Sequence, residues 1–398
     1  MKKIMTGVMA VMLVACGKRP SEKVLSHTGK EASCPYVTHD IRGNTVVSWV
    51  EQDSGSAGMM YYAVTNDNGY TFSYPQSIPA TAGVFPHAEN LPKLLFKPDG
   101  SIIALFGVEQ HDPRNKYAGK VMYAQSFDNG KTWQDAVPLV TDTSGYDQRY
   151  FDIALLPNGE AAAIWLDNRK HTKAEGSTLF FATTKGRQGF REAKPVAETV
   201  CQCCRTKLYV APDGAIHVAY RDIINDSIRD MVHQVSVDNG ATFSAPVRIS
   251  ADNWVVNGCP HTGPTLAASG KGLHFAWFTM GGGQGVFYCR SEDNGNTYTQ
   301  KESLSKIPMA KHPQLTPCHD SDILIAWDEP VKYHNDFKSR ISYVCKSANG
   351  ETLKSGQLTE DSTYAVFPVV GMLRNQAAII VYKRERKGRG EVAYQLLP

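Results

Sequence analysis

The chain has 398 residues, with 42 Lys and Arg against 39 Asp and Glu, a formal charge of +3. Removing Lys2 and Lys3 with a leader brings this to +1. No electrostatic field gathers nucleic acid, no nucleic-acid-binding motif is present, and no run after the leader is apolar for long enough to span a bilayer.

The leader comes first. Lys2 and Lys3 precede an apolar run from Ile4 to Leu13, the shape of an export signal rather than a mature span. The run ends in Leu13-Val-Ala-Cys16, which resembles the bacterial lipobox. The resemblance implies a signal over residues 1–15, a lipid on Cys16, and anchorage in the bacterial cell envelope. Gly17 after the cysteine, rather than Asp, resembles lipoproteins sorted to the outer membrane, facing periplasm or cell surface. Residues 16–21 form a polar tether and 22–398 a single domain, expected to be a monomer.

Within 22–398 a short apolar strand ending in an aromatic residue recurs seven times, at Trp49, Phe106, Trp165, Tyr220, Trp277, Trp327 and Tyr382. The steps are 57, 59, 55, 57, 50 and 55 residues. Units of that length with several strands each predict an all-β fold, a seven-bladed β-propeller of four-stranded blades, with six blades as the alternative. The clearest unit gives strand A at residues 93–96, the turn Pro98-Asp-Gly100, strand B at 102–106, strand C at 120–125, and strand D after Trp133. The last unit supplies only three strands. Residues 22–26 look like the missing one, so the N-terminal segment is expected to pair near Tyr394 and remove an exposed edge.

Four units carry a turn of one pattern: Thr65 to Phe72, Ser126 to Trp133, Ser236 to Phe243 and Ser291 to Tyr298. These resemble the Asp box, Ser-x-Asp-x-Gly-x-Thr-aromatic, of sialidases and related propellers. The expected role of Asp67, Asp128, Asp238 and Asp293 is structural: each accepts hydrogen bonds within its turn while the Gly takes a positive φ. The resemblance places these turns on the face opposite the usual ligand site.

The starts of the A strands are chemically unusual. Cys34 precedes the first unit, His87 and Glu89 the second, Cys201-Gln-Cys203-Cys204-Arg205 the fourth and Cys259-Pro-His261 the fifth, while His312 opens the sixth. The ends of the B strands bring Glu51, Glu109, Asp167, Asp222 and Asp328 to the same face, with His111 and His171 in the loops beyond. Thiolate and imidazole together suit copper or zinc, so Cys34, Cys201, Cys203, Cys204, Cys259, His261, His87 and His312 form one candidate metal set. Disulfides are the competing use: setting Cys16 aside, eight cysteines remain, and Cys259 is placed to pair with Cys201, Cys203 or Cys204. Cys289, Cys318 and Cys345 fall away from this cluster.

Sialidases use three arginines, one in an Arg-Ile-Pro motif on the first strand A, with a Tyr–Glu nucleophile pair and an Asp acid/base. The first strand A here, Cys34 to His39, has no such arginine. Arg149, Arg205 and Arg221 are the candidates to converge on an anion, with Tyr146, Tyr150 or Tyr364 beside them. Two functions follow as expectations. The first is a non-catalytic binding propeller holding copper or zinc, or a glycan, at the mouth. The second is a glycan-processing exo-glycosidase whose carboxylates are Asp167 and Asp222.

Overall fold

The structure is a computed structural model that describes residues 21–53, 57–142, 144–169, 174–270 and 272–397. The signal segment, Cys16 and His171 lie outside the described residues. Among those described, the only helices are three single 3₁₀ turns, at Pro79–Thr81, Gly186–Gln188 and His319–Ser321. The rest is antiparallel strand and turn, as the sequence predicts.

The unit chosen as clearest is built from Lys93–Phe96, Ile102–Glu109, Gly119–Ser126 and Val137–Pro138, hydrogen-bonded in that order. Strand A begins and ends where the sequence places it; strand B runs three residues further, to Glu109. The same four-strand order recurs along the chain. Hydrogen bonding joins two neighbouring pairs of these groups into eight-stranded sheets and leaves three sheets of four. Each join is slight: Val200 opposite Asp222 in one, and a single parallel contact of Ser339 with Tyr364 in the other. The first of these carries the chain from one unit directly into the cysteine run.

The last unit has three strands of its own, Tyr364–Met372, Ala378–Arg386 and Arg389–Leu397. Its fourth is Lys23–Val24, with Lys23 opposite Tyr394 and Val24 opposite Ala393. Leu25 N–H donates to Val392 O at 2.9 Å, and Val392 N–H donates to Ser26 Oγ at 3.1 Å. The edge of the final strand is therefore covered by the N-terminal segment.

The strand-B aromatics are the core. Trp49, Trp165, Trp277, Phe106, Tyr220 and Tyr382 are all at most 1% exposed. A buried indole N–H needs an acceptor. Trp49 Nε1 finds Glu51 at 2.7 Å, Trp165 finds Asp167 at 3.4 Å, and Trp327 finds Glu329 at 2.9 Å. Glu51 and Asp167, expected at strand-B ends on the face of the candidate site, are partly committed to the core by this pairing.

The four Asp turns share one hydrogen-bond pattern. In the second unit Ser126 Oγ–H donates to Asp128 Oδ1 at 2.9 Å and accepts from Gly130 N–H at 2.8 Å. Thr132 N–H and Oγ1–H donate to the two carboxylate oxygens at 2.9 and 2.7 Å. The same contacts recur at Asp67, Asp238 and Asp293. Asn129 and Gly130 both have positive φ, 60° and 84°, the backbone of a tight hairpin turn. Hydrogen bonds from Thr71, Thr132 and Thr297 lower Asp67, Asp128 and Asp293 to about 2.

A second polar feature lies inside the fourth and fifth units. The rings of His217 and His233 stack at 5.1 Å, with 2.9 Å between Nδ1 and Nε2, and His233 Nδ1 lies 3.0 Å from Tyr298 Oη. Burial pushes His217 down to about 4 and His233 to about 3; His274, also buried, falls to about 4. Unfolded histidine titrates near 6.5. Because the folded values are depressed, their contribution is complete above about pH 6.5 and is lost as pH falls toward 4. The melting temperature is therefore expected to drop between pH 7 and 4.5, above the window in which the turn carboxylates protonate. His217→Gln with His274→Gln should flatten that slope; an unchanged slope in thermal melts contradicts the assignment.

Candidate metal centre

Strand D of the third unit, Phe190–Val200, ends on its contact with Asp222, and Cys201 N–H then donates to Arg221 O at 2.8 Å. The chain turns there, Cys204 N–H closing on Cys201 O at 3.4 Å. A tight turn puts residues i, i+2 and i+3 on the same side. Cys201 Sγ is 3.6 Å from Cys203 Sγ and 3.5 Å from Cys204 Sγ, and all three sulfurs lie within 4.8 Å of one another. The three side chains are 0, 4 and 1% exposed and pack with Tyr150, Leu179, Val200 and Tyr220. Among the described residues this is the one group of three His, Cys, Asp or Glu side chains close enough to share an ion.

The cluster is asymmetric electrostatically. Hydrogen bonds from the Cys203 and Cys204 thiols hold Cys201 well below the ordinary thiol range. The Cys203 thiol is raised by sharing its proton with Cys201, and Cys204 is raised chiefly by burial. Arg229 Nη1 lies 3.5 Å from Cys201 Sγ, while its Nη2 meets Glu175 at 2.7 Å and its Nε donates to Val256 O at 3.0 Å. The Cys201 sulfur thus stands against two further sulfurs and a guanidinium.

The three predicted anion-binding arginines do not converge. Arg221 is wholly buried and is spent on the carbonyls of Arg229, Phe278 and Thr262, at 2.9, 2.8 and 3.4 Å. Arg205 pairs with Glu89 at 2.9 Å and donates to Gly263 O and Pro313 O. Arg149 is held by Asp147 at 2.6 Å. Arg221 and Arg205 tie the loop before the fifth unit to its neighbours, because buried carbonyls need donors. They are structural cations.

The remaining candidates are neighbours rather than one ligand set. The Cys34 thiol is bonded to the backbone of His87, and His87 in turn feels the charge of His261. His312 Nδ1 is 2.7 Å from Asp328, which also accepts Phe367 N–H at 2.7 Å; the His312 ring lies 4.2 Å from that of Phe367. Burial lowers the His312 pKa, but the charge and hydrogen bond of Asp328 more than reverse this. Cys259 is exposed, and all eight cysteines among the described residues are free thiols. The disulfide from Cys259 to the cysteine run is not formed. Asp222 accepts from Thr199 Oγ1–H at 2.7 Å and Ile223 N–H at 3.0 Å; Asp167 accepts from Trp165 and from Arg169 N–H at 2.9 Å.

Sequence reasoning missed Arg229 and Glu175. Two adjacent charged residues, Arg229 and Asp230, at the start of a largely buried strand C were the available signal for Arg229; nothing local marked Glu175. It also missed a backbone device. Cys34, Tyr150, His312 and Phe367 each have φ near +55° beside a register shift at the start of strand A. Left-handed non-glycine residues at bulges are uncommon, and they re-aim a side chain.

The chain matches no protein-family model and no curated protein. It is similar in fold to a protein of unknown function from Dyadobacter fermentans, at 14% identity and TM-score 0.56, covering 95% of this chain and 98% of that one. It is similar also to the intramolecular trans-sialidase of Ruminococcus gnavus, at 8% identity and TM-score 0.53, covering 94% and 96%. The fold is that of a sialidase-like β-propeller. A Hadza microbial sialidase gives the same picture at 14% identity and TM-score 0.51, covering 88% of this chain and 75% of that one. At these identities the likeness concerns the fold alone.

Proposed function

We propose that this sialidase-like propeller is an exported, non-catalytic binding protein that holds one copper(I) ion on Cys201, Cys203 and Cys204. The observation that carries this is the approach of three buried sulfurs to within 4.8 Å of one another. Soft thiolates select soft ions, and zinc sites want four ligands where this cluster supplies three. Three thiolates around a monovalent ion keep excess negative charge in an apolar site. Arg229, touching Cys201, and Arg221, which acts on both Cys201 and Cys204, offset it.

Thiols give up their protons on binding a metal ion, so protons leave with each ion bound and apparent affinity rises with pH. Titration of the reduced protein with copper(I) against a competing chelator is the test. One ion per chain, tighter at pH 8 than at pH 6, is expected; no binding, or binding that strengthens on acidification, contradicts the proposal. The exo-glycosidase alternative rests on the likeness to sialidases, which is one of fold, and both of its carboxylates already have partners.

The strand groups are read here as seven blades, with Lys23–Val24 completing the last; an experimental structure with six would contradict this. Lipidation of Cys16 in the envelope belongs to the same proposal, and release of a Cys16→Ala variant into the soluble fraction is its check.

A further inference from the structure

Between the second and third units, on the side where strand B ends, lies a cavity of about 310 Å³. Two glycines lie in its floor. Gly107 and Gly119 stand on one face of paired strands, since Gly107 is opposite Val121 and Glu109 opposite Gly119. A Cβ on Gly107 would meet Asn90 Nδ2 at 2.9 Å, and one on Gly119 would meet Arg149 Cγ at 3.0 Å. Their missing side chains let Asn90 and Arg149 pack directly on the strand backbone at the floor, so a side chain at Gly107 would displace Asn90.

The walls are aromatic. Phe85 is held by its N–H bond to Gly107 O at 2.8 Å, and Tyr150 by the bond of its N–H to Asn90 Oδ1 at 2.6 Å. Tyr150 has φ +54°, a strained backbone that this bond maintains at the inner wall of the cavity. Tyr117, 68% exposed, forms the outer wall.

The charges in the lining are of both signs. Lys116 Nζ sits 4.8 Å from the centre of the Tyr117 ring, and the Arg149 guanidinium 5.6 Å from that of Tyr150. Opposite in sign is Glu109, on the strand facing Gly119. Asp147 is already occupied by Arg149, Asn115 and the N–H of Gly119, and it positions the guanidinium from behind. A metal ion has no place here, since the lining offers one carboxylate and one half-buried imidazole beside two cations.

We propose that this cavity binds a small aromatic zwitterion, of the aromatic α-amino acid class. Its ring lies among Phe85, Tyr117 and Tyr150, its carboxylate meets Lys116 and Arg149, and its ammonium meets Glu109. A cavity of this size with apolar walls and few oriented charges is typical of small-molecule sites, and charge-assisted hydrogen bonds set the ligand's polarity. The site does not depend on the thiol cluster, so the test uses protein free of metal.

The probes are L-tryptophan, N-acetyl-tryptophan, which lacks the cation, tryptophan amide, which lacks the anion, and glucuronate, an acidic sugar. Calorimetry is expected to give one L-tryptophan per chain, bound at least about tenfold more tightly than either blocked form. Lys116→Ala should weaken L-tryptophan and N-acetyl-tryptophan but leave the amide unchanged; Glu109→Gln should weaken L-tryptophan and the amide but leave N-acetyl-tryptophan unchanged. Gly107→Val should abolish binding. If that variant does not fold, Tyr117→Ala, at an exposed loop position, should weaken all tryptophan probes several-fold. Undetectable L-tryptophan binding, equal binding of the blocked forms, or preference for glucuronate overturns the proposal.

Discussion

Replacing Cys204 with Ser is expected to lower copper(I) affinity by at least about a hundredfold, with a smaller loss of melting temperature in the unmetallated protein because a hydroxyl replaces a buried thiol. Cys204 is 1% exposed and packs among apolar side chains, so Ser fills nearly the same volume. What is lost is one of three soft donors. Cys201→Ser should cost at least as much, because it removes the sulfur toward which both other thiols and Arg229 are directed. Arg229→Met keeps all three sulfurs and removes only the neighbouring charge, for which a loss of about 10- to 100-fold is expected. Cys259→Ser should leave equilibrium affinity within a few-fold, since Cys259 is exposed and outside the group of three. Competition titrations read all four; equal affinities for Cys204→Ser and parent would contradict the assignment of ligands.

Arg205→Met is expected to destabilise the fold by about 3–5 kcal/mol, the largest loss of stability predicted for a single change here. The side chains of Arg205 and Glu89 are 6 and 3% exposed, and the pair is joined at 2.9 Å. Glu89 also accepts from Gly263 N–H at 3.2 Å, and losing Arg205 deprives this buried carboxylate of the cation paired with it. The carbonyls of Gly263 and Pro313 lose their donor as well. Replacing both partners removes the orphaned charge, so Glu89→Leu with Arg205→Met should recover most of the loss. Chemical denaturation of the two single variants and the double variant measures this. A change under about 1 kcal/mol for Arg205→Met would show that the pair does not join the units.

The repeat and the hydrogen-bonded turns were legible in the sequence because both are local. Strand alternation, Pro98-Asp-Gly100 and the Asp turns are set within a few residues. The pairing of residues 23 and 24 with the last strand was legible by counting, since a unit one strand short requires a donor from elsewhere. The three cysteines were legible for the same reason as the turns: spacings of two and three residues within one reversal fix their proximity. The fates of the arginines were not. Arg205 meets Glu89 across 116 residues, and Arg221 meets Phe278 across 57; both contacts depend on how neighbouring units approach. A sequence shows that a cation stands near a strand end, but whether it faces solvent or a buried carbonyl is decided by the packing of sheets. Cys34 and His312 show a related limit. Both stand at strand-A starts as predicted, yet their left-handed backbone gives each its own direction, and one meets the backbone of His87 and the other Asp328.

The most direct test is X-ray absorption at the copper edge on protein loaded with one equivalent of copper(I) under reducing conditions. Coordination by Cys201, Cys203 and Cys204 predicts three sulfur neighbours, no nitrogen or oxygen in the first shell, and loss of one sulfur in Cys203→Ser. A first shell dominated by nitrogen or oxygen, or one unchanged by that substitution, would contradict a copper site on these three cysteines.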